Sequence, residues 1–139
     1  MPRVRYLVDT SVLSRLTKLP VATAFTPLAA AGNVAVCAPV AFELGYSARN
    51  RQDYAALMER LAAFPAVAIT EGDHRRALEI QAELCARGRH RALSLVDALV
   101  AAAAEGRDLT VLHYDADFEL VAEVTGQPQV WVVERGLAD

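Results

Sequence analysis

Apolar residues fall into two kinds of pattern along this 139-residue chain, and the switches between them mark out the elements. Short apolar runs that read as buried strands lie at Arg5–Val8, Val34–Ala38, Val67–Thr70, Thr110–His113 and Val130–Val133. Between them apolar positions recur at steps of three and four, as in Val12, Leu13 and Leu16, or Tyr54, Leu57, Leu61 and Phe64. Asp9-Thr10-Ser11 are N-cap types that stop the first strand and open a helix. Pro20 ends that piece, and an alanine-rich helix is expected from about Val21 to Ala31, closed by Gly32-Asn33. Pro39 suits the first turn of a helix running to about Arg49. Pro65 stops the Tyr54–Phe64 helix, and Ala77, Leu78, Ile80 and Leu84 place another over Glu71–Ala86. Ser94 opens a very apolar helix reaching Glu105, with Gly106 as its cap, and Asp115 opens one to about Thr125. The predicted order is β-α-α-β-α-α-β-α-α-β-α-β. Strands buried on both faces and separated by helices imply an α/β fold with a mainly parallel sheet covered on both sides.

Length fits one domain over residues 1–139, and a hydrophobic fraction of 54% excludes a disordered chain. The net charge of −3, from 14 basic and 17 acidic residues, gives no general attraction to nucleic acid. Any RNA binding therefore needs a local basic patch. Cys37 and Cys85 are expected to be buried or idle thiols of a reducing compartment. The first residues lack the apolar length and cleavage site of a signal peptide, and no stretch approaches a membrane span. A cytoplasmic protein is the expectation.

Four carboxylates stand in surroundings that do not suit them. Asp9 follows Tyr6-Leu7-Val8 and Asp115 follows Val111-Leu112-His113-Tyr114, each at the carboxyl end of a predicted strand. Ligands of open α/β sheets gather beyond those ends, so the two acids can be neighbours despite their separation in sequence. Glu43 and Asp97 have largely apolar helical neighbours, and no Lys or Arg lies three or four residues from either. A carboxylate on an apolar face loses hydration unless a cation or several donors compensate it. Convergent carboxylates repel, unless a hard divalent cation that prefers oxygen stands among them. Each acid also has a structural reading: Asp9 and Asp115 as helix caps, Ser94-x-x-Asp97 as a capping box, Glu43 on a solvated strip. The argument for chemistry rests on the set.

That set, in its order and spacing, resembles the PIN-domain family and within it the VapC-type toxins of bacterial toxin–antitoxin pairs. The resemblance rests on Val8-Asp9-Thr10-Ser11-Val12, Glu43, Ser94-Leu95-Val96-Asp97-Ala98-Leu99 and Leu112-His113-Tyr114-Asp115-Ala116-Asp117-Phe118, and it spans the chain. It implies a three-layer α/β/α sandwich and Mg²⁺- or Mn²⁺-dependent endoribonuclease activity, often against structured RNA such as tRNA. By position it implies Asp9, Glu43, Asp97 and Asp115 as the acidic quartet. Asp117 becomes a further metal-side acid, and Thr10, Ser11 and Ser94 become hydroxyls that place water or hold a carboxylate. It also implies an antitoxin of the VapB type as partner and a homodimer. His113-Tyr114 stands where many relatives carry a small polar residue, so local substrate contacts are expected to differ. His74, His90 and His113 are read as surface or packing residues, and Trp131 as core.

Arg49-Asn50-Arg51, Arg75-Arg76 and the loop holding Arg87, Arg89 and Arg91 could meet RNA phosphates, or could be ordinary solvated loops and helix ends. Two rival functions remain. A phosphatase of the haloacid-dehalogenase type needs a second Asp two residues after Asp9, where this chain has Ser11. A PIN-like module without catalysis would act by binding alone, against which all four acids are present.

Overall fold

A computed structural model describes residues 3–139. Its strands are β1 (Tyr6–Val8), β2 (Val34–Cys37), β3 (Ala66–Val67), β4 (Thr110–His113) and β5 (Gln129–Trp131). All pair in parallel, in the order β3-β2-β1-β4-β5. The helices are α1 (Thr10–Leu13), α2 (Leu19–Ala30), α3 (Ala38–Tyr46), α4 (Arg51–Ala62), α5 (Glu71–Ala86), α6 (Leu95–Glu105) and α7 (Asp117–Thr125), with a 3-10 turn at His90–Ala92. Successive side chains of a strand point to opposite faces. Since Val34 to Cys37 and Val111 to His113 are buried without a break, both faces of the sheet are covered. The result is an α/β/α sandwich.

The strand order contains a reversal. From β1 the chain moves outward through β2 to β3, then returns to lay β4 against the free side of β1. Val8 pairs with Leu112, and the Asp9 amide donates to the Leu112 carbonyl at 2.9 Å. The two strands therefore end side by side at the switch point, where open α/β sheets place their ligands.

Helix α6 is the packing centre. Eight consecutive residues, Asp97 to Ala104, are buried, and the helix touches α3, α5, α7, β1 and β4. Its alanines make that possible, because small side chains let five neighbours approach one helix closely. A helix apolar all round is a core helix. At Gly45 of α3 a Cβ would come within 3.0 Å of the Tyr54 ring, so glycine there permits the contact with α4.

The elements match the predicted order, and the differences are local. Pro20 lies in the first turn of α2 and does not end the preceding piece, because a first-turn proline lacks only an amide that has no helical acceptor. The last strand starts one residue and ends two residues earlier than expected, and β3 is the two residues Ala66–Val67. Helix α7 starts at Asp117, not Asp115. Asp115 Oδ1 accepts from the Asp117 amide at 2.9 Å, an Asx turn that holds the acid ahead of the helix.

A polar clasp ties the start of α5 to the segment that follows α6. Asp73 is buried in the first turn of α5 and shares a capping box with Thr70. Burial opposes its ionisation, but Arg107 and the Thr70 amide outweigh that and hold its carboxyl below the ordinary range. Arg107 reaches Asp73 at 3.1 Å, the Ala68 carbonyl at 2.7 Å and the Ala103 carbonyl at 2.9 Å. Arg107→Ala should lower stability by roughly 2 kcal/mol, a fall of about 5–10 °C in melting temperature. Because the folded pKa of Asp73 is depressed, its contribution is present above about pH 4 and fades as pH falls further. Thermal melts at pH 7 and pH 3 should show the wild type and the variant converging in acid.

Candidate active site

Asp9 leaves β1 straight into the N-cap of α1 and is only 2% exposed. Its Oδ2 accepts from the Ser11 amide at 3.0 Å and from the Ser11 hydroxyl at 2.6 Å. The same hydroxyl accepts from the Tyr114 amide at 2.8 Å. Ser11 thus joins the first carboxylate to the chain carrying Asp115, across 103 residues of sequence. Among the described residues no donor reaches the other oxygen of Asp9, although Oδ1 is fully buried.

Asp115 is aimed from beneath by His113. The ring is completely buried against Phe118 and Trp131, and its Nδ1 accepts from the Asp115 amide at 3.1 Å. That leaves Nε2–H to donate to Gln129 Oε1, so the ring is neutral, and burial pushes its pKa down. His113 packs and orients; it has no face to offer a substrate. Asp97 occupies the third residue of α6, where Ser94 Oγ accepts from its amide at 3.1 Å. The backbone carries the cap, so the Asp97 carboxylate is left to point elsewhere.

The three carboxylates converge. One oxygen from each of Asp9, Asp97 and Asp115 lies within 4.8 Å of the others. Burial is the main cause that raises the pKa of Asp97 to about 8, with Asp9 and Asp115 adding repulsion. Asp9 is also raised by burial, against the pull of the Ser11 hydroxyl and amide, and Asp115 and Glu43 add to it. Glu43, half-buried on α3, is therefore near enough for its charge to act on Asp9, but it stands outside the tight group of three. Asp117 is raised by burial and by Asp115, with Arg89 opposing. It borders the cluster.

These donors fit a hard divalent cation. All are carboxylate oxygens, and the buried, unpartnered Oδ1 of Asp9 faces a full desolvation cost unless a cation meets it. Oxygens on opposite sides of one Mg²⁺ stand about 4.2 Å apart, twice a bond of about 2.1 Å, so the cluster is already close to the needed span.

The other candidate residues divide. Among the described residues the buried Thr10 hydroxyl has no partner, and the Ser94 hydroxyl is engaged as an N-cap. Arg49 is paired with Asp53 at 2.8 Å, Arg75 with Glu71, and Arg76 with Glu105 at 2.7 Å. Those pairs answer the charge of Arg49, Arg75 and Arg76 within the chain. Arg51, Arg87, Arg89 and Arg91 are exposed, and only Arg89 is seen to act on the acid cluster. Cys37 is buried with its thiol pKa pushed up, and Cys85 is exposed. Trp131 is half-buried and packs against the core, while its indole N–H reaches Glu119 at 2.7 Å and Arg135 lies over its ring. Sequence reasoning missed Arg15 and Arg135, which border Asp115. Their only signal is being basic residues near strand-end acids, which is too common to single out.

Comparison with known proteins agrees with this geometry. The model of the PIN domain matches residues 6–124. Ribonuclease VapC51 of Mycobacterium tuberculosis is 49% identical over 136 residues, covering 98% of both chains. Ribonuclease VapC21 of the same organism is 39% identical over 135 residues, covering 96% of this chain and 98% of its own. The crystal structure of DNA-bound VapBC from Salmonella typhimurium superposes with a TM-score of 0.77 at 16% identity, covering 94% and 99% of the two chains. With the domain model matched over most of its length and a near-full-length relative half identical to it, this chain belongs to the PIN-domain family.

Proposed function

We propose that this chain is a divalent-cation-dependent endoribonuclease acting as the toxin of a toxin–antitoxin pair, the whole chain working as one catalytic unit. The observation that carries the reading is the buried convergence of Asp9, Asp97 and Asp115 with an unanswered oxygen on Asp9. Similarity to ribonucleases of the VapC series supports the substrate class. Structured RNA such as tRNA is the proposed target.

In the mechanism, Asp9, Asp97 and Asp115 would hold Mg²⁺ or Mn²⁺, with Glu43 and Asp117 completing the acidic surround. The bound ion supplies a Lewis acid that lowers the pKa of water and neutralises charge on a phosphodiester. Ser11 keeps Asp9 ionisable by donating two hydrogen bonds to it, and locks the spacing between Asp9 and Asp115 through the Tyr114 amide. The His113 ring fixes the Asp115 backbone without taking part in proton transfer. The Ser11 hydroxyl is engaged between Asp9 and the Tyr114 amide, so water is taken as the attacking group, and products with a 5′-phosphate and a 3′-hydroxyl are expected.

A partner is part of the proposal. Phe42 and Tyr46, one turn apart on α3, are 81% and 90% exposed, and Leu19 is 77% exposed. Large apolar side chains in that state suit a protein interface, for a VapB-type antitoxin or a second copy of the chain. Among the described residues no helix is long and apolar enough to cross a membrane, which suits the proposed cytoplasmic site of action.

The deciding experiment is incubation of purified protein with total RNA in Mn²⁺ and in chelator. Cleavage should need the ion, and Asp97→Asn should lower the rate by roughly 10²–10³-fold, the scale of losing one preorganised contact to the transition state. Metal-dependent cleavage at an undiminished rate in that variant refutes the assignment. Ser11→Ala should lower activity by about 10–100-fold, as loss of a residue that orients a metal ligand does. Its Mn²⁺ titration should shift to higher concentration, a change that loosened folding alone would not produce.

The raised acids also set a pH dependence. A carboxyl whose folded pKa lies above its unfolded value favours the folded state at low pH and loses that advantage as pH rises through the folded value. For Asp97 the window runs from about 4 to about 8. In chelator the wild type should therefore lose stability across that window, and Asp97→Asn should lose less. Saturating Mn²⁺ at pH 8 should restore it, by about 2.7 kcal/mol at a hundred times the dissociation constant. Melts that ignore both pH and Mn²⁺ count against the cluster.

A further inference from the structure

A depression of about 360 Å³ adjoins the acid cluster, lined by Ser11, Arg15, Tyr114, Asp115, Trp131 and Arg135. We propose that it is a phosphate subsite, in which Arg15 and Arg135 hold the RNA phosphate next to the one that is cut. The proposal rests on the nuclease reading and names two substrate-binding residues for it.

Both guanidiniums are held in place before any substrate arrives. Arg15 lies 4.9 Å from the centre of the Tyr114 ring, donates from Nε to the Ala138 carbonyl at 3.1 Å, and donates from Nη1 to the Ser11 carbonyl at 2.8 Å. Among the described residues its Nη2 has no acceptor. Arg135 is exposed and lies 5.7 Å from the centre of the Trp131 ring. The two rings meet edge to face, with centroids 5.3 Å apart at 88°, so they form one rigid seat for both cations. Stacking on aromatic faces orients a guanidinium while leaving its N–H edge free, and that planar edge matches the oxygens of a phosphate.

Charge makes the same point. Acidic residues outnumber basic ones by 17 to 14, and Arg49, Arg75, Arg76 and Arg107 are each ion-paired. Among the described residues Arg15 and Arg135 form no ion pair, although Asp115 and Asp139 line the same depression. Asp139 instead accepts from the Tyr114 hydroxyl at 2.7 Å. Two cations that line one small space without pairing to the carboxylates sharing it are left available to an incoming anion. The stacked arginines occupy the ring faces, so the depression selects phosphate and not a nucleobase. Because Asp115 belongs to both places, an anion here and a phosphodiester at the acids lie on one strand.

The test uses Arg135→Ala, since Arg15 also ties α1 to the C-terminal segment and its loss would disturb folding. RNA binding is measured against salt in full-length protein carrying Asp97→Asn to stop turnover, with and without the arginine change. The slope of log K against log salt should fall by about 0.7, the loss of one single-strand phosphate contact, and Arg135→Lys should retain it. Oligonucleotides with one neutral methylphosphonate should weaken binding to the Arg135 protein at a single linkage beside the cut, and weaken it less there in Arg135→Ala, where Arg15 alone remains. An unchanged slope overturns the subsite, as does a methylphosphonate penalty identical in both proteins, or a loss of affinity for an acidic peptide with RNA binding intact. Wild-type protein that cleaves RNA normally while Arg135→Ala binds as tightly as before removes only this proposal. Wild-type protein that never cleaves RNA removes the nuclease reading as well.

Discussion

Like charges gathered in a dry place are the constraint around which this fold is organised. Three carboxylates within 4.8 Å of one another would separate if their backbones allowed it. They are prevented by strands: β1 and β4 are paired through Val8 and Leu112, so Asp9 and the turn carrying Asp115 cannot drift apart. Helix α6 brings Asp97 to the same point because its alanine face packs against both strands at once. The packed core thus holds together a set of charges that would otherwise work against folding. Such an arrangement stores a standing preference for a cation.

Ser11 has an outsized part in that arrangement. A hydroxyl can donate once and accept twice, and this one donates to Asp9 and accepts from Tyr114. A threonine or cysteine could copy part of this, but alanine would leave both a buried carboxylate oxygen and a buried amide with one partner fewer. His113 does comparable service on the other side through Asp115, in its neutral form. Asp9 and Asp115 are therefore positioned by Ser11 and His113, each hydrogen-bonded on both sides, which is what keeps a cluster of repelling groups in one geometry.

Much of this was legible in the sequence, for reasons that can be named. Helix α5 and strand β4 lie where the periodicity placed them, since Thr70 caps one and an unbroken apolar run defines the other. The strand-end position of Asp9 and Asp115 followed from apolar runs stopping at acids, and the gathering of Asp97 followed from an acid on an apolar helix. What stayed hidden depends on tertiary partners. Glu43 was argued from apolar neighbours, yet Phe42 and Tyr46 beside it are exposed, so its proximity to Asp9 comes from the position of α3 and not from its own face. Trp131 packs against the core as expected but ends a strand at the sheet's edge, and the sequence did not show that Glu119 and Arg135 meet it there. Asp115 as a helix opener missed the Asx turn, which only the Asp117 amide reveals.

The arginines carry the same lesson one step further. Runs of basic residues drew attention as phosphate contacts, but three of those arginines are answered within the chain, and Arg89 alone among the rest influences the acids. Isolated arginines far apart in sequence, Arg15 and Arg135, share one depression because Tyr114 and Trp131 pack edge to face beneath them. An acidic protein that handles a polyanion has to place cations where the strand must pass. Placing them on aromatic faces keeps them from collapsing onto the nearby carboxylates. The acid cluster and the stacked arginines are therefore complementary parts of one surface, one suited to a cation and the other to the anion that accompanies it.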